Sequence, residues 1–250
     1  MNRYLFASLT AALLTTHASA AAPPEKTLEE SAGVLDALAA IPLKGIPPKL
    51  LADAQGVVIV PRVVKVGFVV GVRGGHGVVL TRDKDGQWSD PVFVHFGGAS
   101  VGFQAGVEST DVVLVFRTRK SLDRVLKGKD KFTLGADASV AAGPVGRESL
   151  AGTDARLDAE VLSYSRSRGL FVGVSLDGAV INPDPHDTAE FQKNATAEEK
   201  KWAAHLKAQL MQMSGTKPTV EVIPPPPPVL GPPAQPTTRK RPRFRFFRRN

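Results

Sequence analysis

The residues with the most chemical potential at first sight are Gly98-Ala99-Ser100-Val101-Gly102, with Asp184 and His186 downstream. They match G-x-S-x-G, the nucleophile elbow of serine hydrolases, and supply nominal triad partners. That elbow needs a strand, a sharp turn and then a helix, so that the serine stands exposed at the helix start. Here Phe103 to Val107 continues as a strand pattern. A hydrolase using Ser100 is therefore the alternative reading, and no catalytic residue is assigned. Arg73-Gly74-Gly75-His76-Gly77 could cradle a phosphate, but the P-loop lysine and its following Ser or Thr are missing and a strand follows, so a tight connection between strands is expected. His76, His95, His186 and His205 show no metal-type spacing. Neither a metal nor a cofactor is expected.

Cations offer a different chemistry. Residues 239–250 read RKRPRFRFFRRN, so Arg239, Lys240, Arg241, Arg243, Arg245, Arg248 and Arg249 interleave with Phe244, Phe246 and Phe247. Arginines can meet lipid phosphates while the rings enter the headgroup boundary. Near an anionic surface each basic residue contributes about 1 kcal/mol. The same composition fits nucleic acid, or a merely solubilising tail. A second cation set, Lys44, Lys49, Arg62, Lys65 and Arg73, surrounds the first glycine-rich strand and could receive a lipid phosphate.

Charge has to be located before it is interpreted. Of 32 Lys and Arg, seven lie in that tail and one, Arg3, in the leader, which leaves 24 bases against 24 acids elsewhere. The body is neutral overall, and the basic character belongs to the tail. The leader has a cation at Arg3, an apolar stretch Leu5 to Leu14 and a small-residue cleavage site, Ala18-Ser19-Ala20. Residues 1–20 are thus expected to be a signal peptide, and the protein to be exported, periplasmic or secreted, and peripherally membrane-associated. Export argues against nucleic acid as a partner. With no cysteine in the chain, disulfides and cysteine metal sites are excluded.

The positioning elements are mostly strands. Val57 to Val60, Val63 to Val66 and Val112 to Val115 are β-branched runs. Glycine pairs four apart recur at Gly67 and Gly71, Gly102 and Gly106, and Gly169 and Gly173. Glycine inside a strand weakens it unless a bend, another backbone or a ligand comes close. These six are read as structural glycines of a strongly curved sheet, in preference to a ligand-binding face. Expected strands include 57–61, 63–72, 78–82, 87–95, 99–107 and 112–117, with 169–175 and 178–182 as a closing pair. Helices are expected from Thr27, opened by a Thr27-x-x-Glu30 capping box with a Leu28, Ala32, Leu35, Leu38, Ala39 stripe; from about Pro47 to Gly56; over 119–127; and from a Thr196-x-x-Glu199 box through Trp202, Leu206, Leu210 and Met213. From Pro218, with five prolines at 224–228, the chain reads as an extended spacer.

The order of these stretches resembles the SYLF domain family. The matching residues are Ile46-Pro47 with Leu50-Leu51, Gly56 to Pro61, Lys65 to Phe68, Gly75 to Val78, Trp88 to Pro91, Gly98 to Gly106, Asp111 to Val115, Ala142 to Gly146, and Tyr164-Ser165 with Gly169 to Gly178. The resemblance covers about 28–195. It implies an α+β domain that binds acidic phospholipid, phosphoinositides in eukaryotic members, with no catalytic residues to transfer. Actin, bound by yeast relatives, is not expected as a partner in an exported setting. The spacer and tail lie outside the family pattern.

The expectation is an α+β fold: a curved, mostly antiparallel, glycine-rich sheet or partial barrel packed by N- and C-terminal helices over 27–215, followed by a disordered Pro-rich and Arg-rich segment, 216–250. Its expected work is non-catalytic binding of anionic phospholipid at an envelope membrane. A structural envelope protein whose tail binds other polyanions is a further alternative.

Overall fold

The β-branched runs pair into one nine-stranded sheet. The structure is a computed structural model that describes residues 22–41, 45–67, 70–101, 106–127, 131–145, 158–167 and 170–215. In chain order the elements are α1 (Pro24–Ala39), α2 (Pro48–Ala52), β1 (Gly56–Gly67), β2 (Val70–Thr81), β3 (Val92–Val101), β4 (Gly106–Phe116), α3 (Arg119–Lys127), β5 (Phe132–Thr133), β6 (Val140–Ala142), β7 (Val161–Ser167), β8 (Leu170–Gly173), β9 (Ala179–Pro183), α4 (Pro185–Asn194) and α5 (Ala197–Met213). The sheet order is β5-β9-β3-β2-β1-β4-β7-β6, with β8 pairing β7. Among the described strands only β6 and β7 pair in parallel. This is the α+β, mostly antiparallel architecture that the sequence suggests.

The sheet is curled into a half-barrel. Five strand spacings would put β5 about 24 Å from β4 in a flat sheet. Instead the rings of Phe132 and Phe116 lie 6.0 Å apart. Each side of the curl has its own core. On the convex side α1, α2 and α5 cover Val57, Ile59, Val78, Leu80, Val113 and Val115. On the concave side Leu122 and Val125 of α3 plug a cavity walled by Val58, Val60, Val79, Leu114 and Ile181. Alternating residues of one valine run thus feed both cores, as period two requires.

The helices differ from expectation at one end. α1 starts at Pro24, with proline in its first turn and no side-chain cap. Proline suits that position because its φ is preset and its missing N–H has no intrahelical partner to lose. Thr27 is buried inside the helix, and Glu30 turns to Arg62. Val34 joins Leu28, Ala32, Leu35 and Leu38 in the core, whereas Ala39 is exposed. The Thr196 and Glu199 capping box does form, the backbone N–H of Glu199 donating to Thr196 Oγ1 at 3.1 Å and that of Thr196 to Glu199 Oε2 at 2.7 Å. Gly33 sits mid-helix on the exposed side, with nothing within 4 Å of where a Cβ would be. Gly33→Ala is therefore expected to stabilise the fold by about 0.5–1 kcal/mol, measured by urea denaturation.

Three strand assignments also change. The stretch 57–72 is not two strands joined at Arg62: β1 runs unbroken to Gly67, and Arg73 to Gly77 lie within β2 rather than in a tight connection. The strand expected over 99–107 is divided between β3 and β4. The expected pair 169–175 and 178–182 does not form. β8 pairs with β7, whereas β9 joins β3 and β5. Local pattern identifies extended segments but carries no information about which neighbour they choose.

Candidate functional site

A single bulge decides what the sheet displays. Val60 pairs with Val112 and Val63 with Thr110, so Pro61 and Arg62 together oppose Asp111. Arg62 takes φ +47°, a left-handed conformation that a non-glycine residue rarely holds. Asp111 holds it there: its Oδ1 accepts the Arg62 backbone N–H at 3.0 Å. Its Oδ2 accepts from Arg166 Nε at 2.7 Å and Nη2 at 2.6 Å. The extra residue reverses the alternation of β1. Before it, Val57 and Ile59 lie on the convex side, under the helices; after it, Val64 and Val66 take that side.

Beyond the bulge the sheet runs out from under the helices. Register aligns Ala99, Val72, Val66 and Val107 in one transverse row across β3, β2, β1 and β4. Behind it lie Gly97, Gly74, Val64 and Ser109. Val66, Val72 and Val107 are 47, 68 and 74% exposed. A valine row open to water on a sheet tip is a costly surface, and such patches mark interaction sites.

Between this tip and α1 opens a groove of about 610 Å³. Val64, Val66 and Val72 line its outer part, with Thr27 and Glu30 of α1 on the helix side and His76 and His95 also in its lining. Arg62 Nη2 meets Glu30 Oε1 at 2.7 Å, tying strand to helix. His76 and His95 are register partners on β2 and β3. Their Nδ1 atoms lie 3.0 Å apart with the rings edge to face. His95 Nε2 is 2.8 Å from Asp184 Oδ2, and Asp184 caps α4 by accepting from the Asp187 backbone N–H. Burial, followed by the neighbouring His95, lowers the His76 pKa from its ordinary value, and the Asp184 and Asp187 carboxylates offset this in part.

The expected cation cluster is dispersed. Lys44 lies outside the described residues. Lys49 is exposed on α2, at the start of β1 and roughly 30 Å along the strand from Lys65. Arg62 is on the groove wall. Lys65 and Arg73 are register partners on the opposite, concave side of the tip, with Glu108 beside Lys65. Arg73 Nη2 donates to the Asp177 carbonyl at 3.4 Å, and burial lowers its pKa, with Asp177 opposing. The tail residues Arg239 to Arg249 lie outside the described residues, as does the leader.

Of the six paired glycines, the four among the described residues sit at strand ends rather than in strand interiors. Gly67 ends β1 and pairs with Gly71 of β2 and Gly106 of β4, so these three adjoin across strands. Gly102 and Gly169 lie outside the described residues. Gly173 ends β8, where a Cβ would come 2.1 Å from the Gly143 carbonyl oxygen. Close backbone approach inside a strand occurs instead at Gly77, whose Cβ would stand 2.2 Å from the Ile59 oxygen.

Among the described residues the elbow geometry is not formed. Ser100 lies in β3, paired with Gly71. Asp184 donates its backbone N–H to the carbonyl of Phe93, about 23 Å along the strand from Ser100. His186 is exposed and pairs with Asp187 at 3.1 Å, which raises its pKa. His205 bonds Asp36 at 2.9 Å, between α5 and α1. The His76–His95 pair escaped sequence reading because nineteen residues separate them and only register unites them. The period-two placement of His76 beside Val78 and of His95 beside Phe93 was the available signal.

Comparison with known proteins finds relatives by sequence. The family described as "Ysc84: Las17-binding protein actin regulator" matches residues 97–202. "SH3 domain-containing YSC84-like protein 1" of Bos taurus is 40% identical over 140 residues, 56% of this chain and 40% of its own length. The Xenopus laevis protein of the same name is 41% identical over 138 residues, 55% of this chain and 41% of its own. "LAS seventeen-binding protein 3" of Saccharomyces cerevisiae is 41% identical over 138 residues, 54% of this chain and 30% of its own. The chain thus spans about two fifths or less of these relatives. No solved structure matches it. The match runs from within β3 to within α5, and this stretch carries the chain's similarity to the Ysc84 family, that of the SYLF domains.

Proposed function

We propose that this domain binds anionic phospholipid, without catalysis, at a membrane surface of the cell envelope. The observation that carries the reading is the exposed row Ala99, Val72, Val66 and Val107 on a sheet tip free of covering helices. On entering the headgroup boundary each of the three valines contributes roughly 1–2 kcal/mol. Lys65 and Arg73 on the other side of the tip, and the seven cations of 239–250, supply attraction to lipid phosphates at about 1 kcal/mol each. Export would separate the chain from actin and from Las17, which the family description and the yeast relative's name mention.

Co-sedimentation with vesicles tests this. The full chain is expected to pellet with phosphatidylcholine vesicles containing phosphatidylglycerol and to stay in solution with phosphatidylcholine alone. Val72→Asp with Val107→Asp is expected to weaken binding by about 30-fold or more, since two apolar contacts are lost and two anions gained. Both sites are exposed, so the melting temperature should hold. Removal of residues 239–250 is expected to weaken binding further and to reduce its salt dependence. Unchanged pelleting of the double variant would remove the tip from the account.

A further inference from the structure

The inner end of the groove is polar, and its polarity depends on one hydrogen. The Asp184 carboxylate fixes a hydrogen on His95 Nε2, so the two Nδ1 atoms, 3.0 Å apart, can hold only one hydrogen between them. In the neutral pair that hydrogen comes from His76, and His76 Nε2 is left with a lone pair. One added proton changes this whichever ring carries the charge: His76 Nε2 then bears an N–H. Among the described residues Nε2 has no hydrogen-bond partner, and His76 lines the groove. Proton uptake thus converts an acceptor into a charge-assisted donor.

The surrounding charges make that proton decisive. Facing the pair are Asp184 and Asp187 from the start of α4, Glu30 from α1 and Arg62 from β1. The Arg73 guanidinium is turned to the concave side, toward Asp177. With the imidazoles neutral, Arg62 is offset by Glu30 and the acids of α4 leave the region negative. With one proton aboard, an oxyanion finds the His76 N–H and the Arg62 guanidinium on neighbouring strands. We propose that this end of the groove receives a phosphate-type oxyanion, with the His76–His95 pair as its proton-linked donor. The proposal rests on the phospholipid reading and names the chemistry of its headgroup contact.

The test uses the full chain and two probes that keep their charge over the range examined: phosphatidylglycerol vesicles, whose phosphodiester stays singly charged, and inorganic sulfate. A full proton taken up on binding strengthens it by up to about tenfold per pH unit. Vesicle binding is therefore expected to be about fivefold or more tighter near pH 5.5 than near pH 7.5, with sulfate following the same trend. His76→Gln and His95→Gln are expected to flatten both profiles. Among the described residues His76 hydrogen-bonds only to His95, so His76→Gln carries the test if His95→Gln fails to fold. Vesicle binding equal at both pH values, or a profile unaltered in His76→Gln, overturns the proton-linked site and leaves the valine tip standing. Proton-linked sulfate binding with no vesicle binding under any condition keeps the oxyanion site and ends the membrane reading. Neither probe binding ends both.

Discussion

Gly77→Ala should cost about 3 kcal/mol or more of folding stability, because the added methyl has nowhere to go. Its Cβ would lie 2.2 Å from the Ile59 carbonyl oxygen and 2.9 Å from Val60 Cα. Both contacts are main chain at the entry to the bulge, so relief requires β1 and β2 to part. These two strands form the middle of the sheet and feed both cores, so parting them exposes apolar surface on two sides. Gly74→Ala, three residues away in the same strand, is the control. Among the described residues only the Phe96 oxygen, at 3.8 Å, comes near its Cβ, and the residue is exposed. Its effect is expected within about 1 kcal/mol. Urea denaturation of the two variants should separate them clearly; equal stability would mean that the bulge does not press on Gly77.

Asp111→Ala is the second large effect, at about 2–4 kcal/mol. The Asp111 side chain is only 11% exposed and accepts from two directions. Its loss leaves the Arg62 N–H unpaired in a left-handed conformation and the Arg166 guanidinium, 27% exposed, without its anion. Asp111→Asn keeps an acceptor for Arg62 but removes the charge that Arg166 needs, so about half the cost is expected. The variants also link fold to function. If Asp111 holds the bulge, loosening it lets Val64 and Val66 exchange faces with Val63 and Lys65, and the valine row breaks in its middle. Vesicle binding should then fall at temperatures where Asp111→Asn is still folded, as circular dichroism would show. Binding that survives a destabilised bulge would detach the tip geometry from Asp111.

The parts that were legible in the sequence share a local cause. Valine runs read as strands because β-branched side chains suit a pleated, half-buried surface, and Arg119–Lys127 reads as a helix from its inward Leu122 and Val125. The Thr196 and Glu199 box predicts its own geometry because all its atoms lie within one turn. Thr27 and Glu30 carry the same letters and do otherwise. Proline at the first turn extends α1 upstream of them, and Arg62 claims Glu30 from 32 residues away in the chain. Glycine spacing did not reveal place. A pair four apart fits a strand interior and a hairpin end equally, and register alone distinguishes them.

Sequence alone determined most of the strand and helix content, the neutral body with its basic end, and the recurrent glycine spacing, because each depends on residue type and short-range spacing. Tertiary structure decided which valines stay in water, where Lys49 and Lys65 part company, and that His76 meets His95. Those outcomes turn on one additional residue in β1, which reverses the strand's alternation, and on the pairing of segments tens of residues apart. A one-residue change of register carries no mark in composition or period, yet it moves every side chain beyond it to the other face of the sheet.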